Sequence, residues 1–76
     1  MQPISELKDG QRAVITQLLG GPGFEQRLRC MGIREEKEVR MVAHQPLNGP
    51  VVISIDGRET TIGRSMAQRI MVRLLP

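Results

Sequence analysis

Val51-Val52-Ile53-Ser54-Ile55-Asp56-Gly57-Arg58-Glu59-Thr60-Thr61-Ile62 is the stretch on which the fold turns. Val51, Ile53 and Ile55 alternate with Val52 and Ser54, the two-residue period of a strand with one buried face. Asp56-Gly57 follows at once. That dipeptide accepts the positive φ angles of a tight two-residue hairpin. Arg58 to Ile62 is then the returning strand.

Working outward, the same punctuation recurs. Pro46-Leu47-Asn48-Gly49-Pro50 precedes the hairpin and reads as a turn. Before it, Glu38 to His44 alternates Val39, Met41 and Ala43 with Arg40, Val42 and His44. After it, Arg64 to Arg69 reads as a short helical turn with Ala67 and Ile70 inward. Ile70 to Leu74 closes as a strand. Near the start, Arg12 to Leu18 is rich in β-branched residues and reads as another strand. Ile4 to Lys8 reads as one turn of helix, with Ser5 as its cap and Asp9-Gly10 as its stop.

One segment changes period. Phe24, Leu28 and Met31 stand at i, i+4 and i+7 and share one face of a helix over Phe24 to Met31. Gly32 suits the position after its end, and Pro22 suits its first turn. Gly20-Gly21-Pro22-Gly23 reads as a flexible connector leading into it. The expectation is mainly β: a small barrel of about five short strands, one two-turn helix and one or two short helical turns, in a single domain over residues 1–76. Short strands joined by tight turns favour curling into a barrel, which hides sheet edges.

Composition bounds the function. The chain has 76 residues, one Phe, no Trp and no Tyr. A domain of this size buries about 60–65% of the surface its unfolded chain exposes, so the core is small. It must be built from Ile, Val, Leu and Met. Base-stacking nucleic-acid modules and proline-peptide grooves both need rings that this chain lacks. The net charge is +3, with 11 Lys and Arg against 8 Asp and Glu. That is a mild bias toward acidic partners, short of the clustered charge that marks nucleic-acid binding. No apolar run reaches the length of a membrane span, and the N-terminus lacks the pattern of a signal peptide. A lone Cys30 fits a reducing cytoplasm.

Leu28…Met31-Gly32-Ile33, Glu38-Val39, Pro46-Leu47…Gly49-Pro50-Val51, Asp56-Gly57 and Ala67…Ile70…Val72 stand in an order and spacing that resemble the FeoA family. Ile4-Ser5-Glu6-Leu7…Gly10…Ala13-Val14-Ile15 fits its opening. The resemblance implies an SH3-like barrel. It also implies a small cytoplasmic protein, peripheral to the membrane through its partner, that accompanies the membrane GTPase permease of bacterial ferrous iron uptake. The same fold serves as a domain of metal-dependent repressors. One departure stands out: Glu36 occupies a position where the family usually has Gly, which points to a different turn type there.

The side chains that could carry chemistry are few. A ferrous site wants several converging imidazoles or carboxylates, and the chain has one His and one Cys. His44 reads as a rim histidine and Cys30 as a partly buried filler. Neither a metal site nor a cofactor is expected. The Gly20–Gly23 stretch lacks the Lys-Ser/Thr of a phosphate-binding loop, and Glu25, read in the first helical turn, would compete with an anion. No nucleophile with its base is recognisable, so the chain does not read as an enzyme. The apolar residues at strand ends and turns are more suggestive. Leu18, Leu19, Phe24 and Leu47, with Arg27, Arg29 and Arg34 as a rim, have the anatomy of a groove for a protein partner. Phe24 serves equally as the plug of a small core.

The chain thus reads as a non-enzymatic interaction module that binds and regulates the ferrous iron permease. The alternatives are a small basic nucleic-acid-binding barrel, disfavoured by the missing rings, and a regulatory domain of repressor type. Direct insertion into the membrane is not expected.

Overall fold

The computed structural model describes residues 1–76 as one six-stranded antiparallel sheet with two helices. In chain order these are β1 (Gln2–Pro3), a 3-10 turn (Ile4–Glu6), β2 (Arg12–Leu18), α1 (Gly21–Cys30), β3 (Glu38–His44), β4 (Val51–Ile55), β5 (Arg58–Ile62), α2 (Arg64–Ala67) and β6 (Ile70–Leu74). The spatial order is β1-β6-β2-β3-β4-β5. The five expected strands stand where the alternation places them. β1 is an addition: two residues pairing with Val72 and Met71 at a sheet edge, a position where proline is tolerated.

The sheet bends where its register slips, between Ile15 and Gln17 against β6 and between Met41 and Ala43 against β4. Seventeen buried residues fill the concave side, all apolar and with no polar residue among them. Ile15, Val39, Met41, Ile53, Ile55 and Val72 come from alternate strand positions; Ala67 and Ile70 point inward from the α2–β6 corner. Met31 and Met66 pack against this cluster from its margin. Leu74, in alternation with Ile70 and Val72, is nevertheless exposed at the end of β6, although its ladder partner Ala13 is buried.

Turn chemistry decides the corners. Asp56 and Gly57 have φ of 53° and 77°, the pair of positive angles that defines a type I′ hairpin. Gly32, at φ 84°, follows α1 as its left-handed stop. Glu36 also has positive φ, 74°, so the turn keeps the left-handed conformation that the family's glycine provides, in place of the different turn type expected. Its amide donates to Ile15 O at 2.8 Å, and the amide of Ile15 donates to Lys37 O at 2.9 Å. These bonds tie the turn to β2 and hold Glu36 in a conformation disfavoured by about 1 kcal/mol or more. Ser5 makes no capping bond; the short 3-10 turn is held by Leu7 N–H donating to Ile4 O.

Candidate functional site

The helix starts earlier than its apolar period implies. Gly20 is the residue before α1, and Gly21, Pro22 and Gly23 form its first turn. The glycine stretch is therefore helix, not a flexible connector. Pro22 tolerates this position because the first-turn amides have no partner inside the helix. Phe24, at the fourth helical position, lays its ring against Gly20, where a Cβ would stand 2.5 Å from Cδ2. The guanidinium carbon of Arg69 lies 5.7 Å from the centroid of that ring, in cation–π range. Leu19 N–H donates to Arg69 O at 2.8 Å, which ties the approach to α1 to the end of the α2 segment.

The seven residues expected to meet a partner are thus distributed. Leu18 and Phe24 belong to the core, at 5% and 8% exposure. Leu19, directly after Leu18, is 43% exposed. Arg27 and Arg34 are exposed and form no ion pair. Arg29 bonds Glu25 at 3.3 Å one helical turn away and Glu35 at 3.1 Å beyond the helix. Glu25 lies in the second turn, where it serves Arg29. A backbone hydrogen bond at Glu35, reinforced by Arg29 and then Arg34, holds the Glu35 carboxyl below its ordinary range. Cys30, expected to be partly buried, is exposed, with Gln26 Nε2 at 3.8 Å.

Leu47 is not brought to this group. Arg12 lies opposite Arg40 in the β2–β3 ladder, and Gly10 N–H donates to Met41 O. The chain after Arg40 therefore runs past the start of β2, while Leu18 and Leu19 lie at the end of β2. The Leu47 turn occupies the far end. Arg64, not singled out in the sequence, holds it together with His44, the expected rim histidine. His44 Nε2 lies 2.7 Å from Leu7 O, and because a carbonyl only accepts, Nε2 carries the proton. Nδ1 faces Arg64 Nη2 at 3.5 Å, and Arg64 Nε donates to Asn48 O at 3.0 Å and Gly49 O at 3.1 Å. Arg64 and His44 are twenty residues apart in sequence, so only the fold reveals the clamp.

A shallow cleft of about 310 Å³ lies on the outer side of β2, β3 and β4. Arg12, Glu38, Arg40, Ser54, Asp56 and Gly57 line it, with Val39 its one apolar residue. Arg12 pairs with Glu38 at 3.1 Å and Lys37 with Asp56 at 3.0 Å, exposed bridges of small individual worth. No three His, Cys, Asp or Glu side chains converge anywhere in the fold. No helix is long and apolar enough to cross a membrane.

Comparison with known proteins adds four findings. A family model described as FeoA domain matches residues 2–74. A curated protein of Methanocaldococcus jannaschii, named "Putative Fe(2+) transport protein A", is 38% identical over 72 residues, spanning 95% of this chain and 85% of that protein. Among solved structures, the crystal structure of an iron uptake regulatory protein (FeoA) superposes with a TM-score of 0.88 at 32% identity, covering 97% of this chain and 96% of that one. A manganese-dependent transcriptional repressor superposes with a TM-score of 0.87 at 21% identity, but this chain spans 41% of it. That likeness is one of fold.

Proposed function

Because this chain belongs to the FeoA domain family, an SH3-like fold associated with Fe(2+) transport, we propose that it is a non-enzymatic module that binds and regulates the membrane GTPase permease of ferrous iron uptake. The observation that carries the reading is the FeoA match along 2–74, joined to a helix whose outer face is open and cationic. Arg27 on α1 and Arg34 after it are exposed and form no ion pair, and Leu19, before α1, is exposed as well. Unpaired arginines around an apolar contact steer an acidic protein surface toward it.

A binding module suits this interior better than an enzyme does. No polar or charged residue is buried, so no acid, base or nucleophile sits in the desolvated setting that tunes one for catalysis. Iron in this reading is the cargo of the partner, and the nucleotide belongs to the partner's GTPase domain. The protein works at the cytoplasmic face of the membrane through that partner.

Capture of the purified permease tests the reading. Wild-type chain is expected to retain it, and Leu19→Ser or Arg27→Glu with Arg34→Glu to weaken retention while thermal unfolding is unchanged. Equal capture by all three folded proteins would remove Leu19, Arg27 and Arg34 from the interface. No capture by wild type would overturn the permease assignment.

A further inference from the structure

We propose that the Leu47 turn is a rigid apolar finger that inserts into an apolar, acid-rimmed socket on the partner protein. Three observations meet at this residue. Leu47 is 99% exposed, so its side chain contributes nothing to the core. Its φ is 61° and that of Asn48 is 55°, while Gly49 N–H donates to Pro46 O at 3.2 Å. That is a type I′ turn with Leu at a position that favours Asn, Asp or Gly. The turn is also clamped. Arg64 holds Asn48 O and Gly49 O, His44 faces Arg64, and Leu7 O anchors His44.

A single exposed leucine is ordinary on a protein surface. A leucine held in a disfavoured backbone conformation, with no contact that repays it, is not. Such outliers persist where the surrounding structure over-determines them, and they concentrate at functional sites. Here the clamp fixes the backbone while the side chain stands free. Preorganisation of that kind lowers the ordering cost of binding.

The occupant follows from charge and shape. The stretch His44 to Pro50 contains no Asp, Glu, Lys or Arg, so Arg64 beneath it, which forms no ion pair, gives the turn a positive charge that an acidic rim would complement. A second copy of this chain does not supply the socket. Its cleft, between β2, β3 and β4, is polar, with Val39 as its only apolar lining. A lipid surface would want several apolar side chains together, and the neighbours Gln45 and Asn48 are polar. A pocket on a different protein remains. This inference rests on the permease reading and adds a second contact, at the opposite end of β2 from Leu19.

The test measures binding of the purified permease to wild type, Leu47→Asn, Leu47→Met and Arg64→Ala, with anionic vesicles of phosphatidylglycerol and phosphatidylethanolamine as a parallel probe. Asn is at home in a type I′ turn, so Leu47→Asn is expected to unfold at a higher denaturant concentration. It is nevertheless expected to bind the permease at least tenfold more weakly. Leu47→Met should stay within about threefold of wild type, and Arg64→Ala should weaken binding with Leu47 still present. Undiminished binding by Leu47→Asn while wild type binds would overturn the finger and leave the permease reading standing. Leu47-dependent binding to vesicles would also overturn it, in favour of a membrane contact. Failure of wild type to bind the permease would overturn the permease reading and this inference together.

Discussion

The Phe24 ring occupies the space that a side chain on Gly20 would need. A Cβ at Gly20 would stand 2.5 Å from Phe24 Cδ2, 2.7 Å from Cγ and 3.0 Å from Cβ. The nearer parts of the side chain are involved as well as the ring edge, so no small rotation relieves the clash. One glycine thus allows the only aromatic residue to close the core at the start of α1, with Arg69 over its outer face. Gly20→Ala is expected to destabilise the protein by about 1–3 kcal/mol, the range of overpacked sites. Urea denaturation should show a lower midpoint at unchanged slope.

Glu36 makes the opposite prediction. It is exposed, and its φ of 74° is one that glycine adopts without penalty. Glu36→Gly removes strain of about 1–2 kcal/mol and adds somewhat less in unfolded-chain entropy. A net gain of up to about 1 kcal/mol is expected from the denaturation midpoint. A loss of stability would mean that Glu36 makes a contact worth more than its backbone strain.

Glu35 introduces a pH dependence. Its carboxyl is held below the ordinary value, first by a backbone hydrogen bond and then by Arg29. A lowered folded-state pKa stabilises the fold above the unfolded carboxylate pKa. That contribution is lost as pH falls through the folded value. The side chain is 38% exposed, so solvent screens the effect and keeps it small. Glu35→Gln is expected to flatten the acid limb of stability against pH below about pH 4.5 and to leave the neutral region nearly unchanged. An acid limb identical to wild type would assign that limb to other carboxylates.

Ferrous iron should not be held by this chain. His44 has both ring nitrogens engaged, by Leu7 O and Arg64, and Cys30 is on the outside of α1. An anaerobic titration is expected to show no one-to-one binding tighter than micromolar. Tight stoichiometric binding, abolished by His44→Ala or Cys30→Ser, would reverse that reading.

The extended elements were legible because alternation is a local property. Val51, Ile53 and Ile55 declare their shared face within five residues, and Asp56-Gly57 declares its turn within two. The family is legible too, because glycine, proline and apolar spacing survive without reference to neighbours in space. The start of α1 was hidden, since Gly-Gly-Pro-Gly usually breaks a helix. Here Gly21, Pro22 and Gly23 form the first turn, where proline is tolerated, and the bare backbone of Gly20 leaves room for the Phe24 ring. β1 was hidden because two residues carry no period.

The partner surface divides in the same way. Leu18, Leu19, Phe24 and Leu47 look equivalent along the chain, as apolar residues at ends and turns. The β2–β3 register separates Leu47 from the other three, and burial separates Leu18 and Phe24 from Leu19. The clamp on Leu47 joins Leu7, His44 and Arg64 from three distant segments, and no local rule foretells it. Periodicity and turn chemistry act over a few residues, so the order of residues was enough for strands, hairpin and family. Exposure, register and long-range hydrogen bonds depend on which segments meet in space, so the surface that remains free to bind was settled by packing.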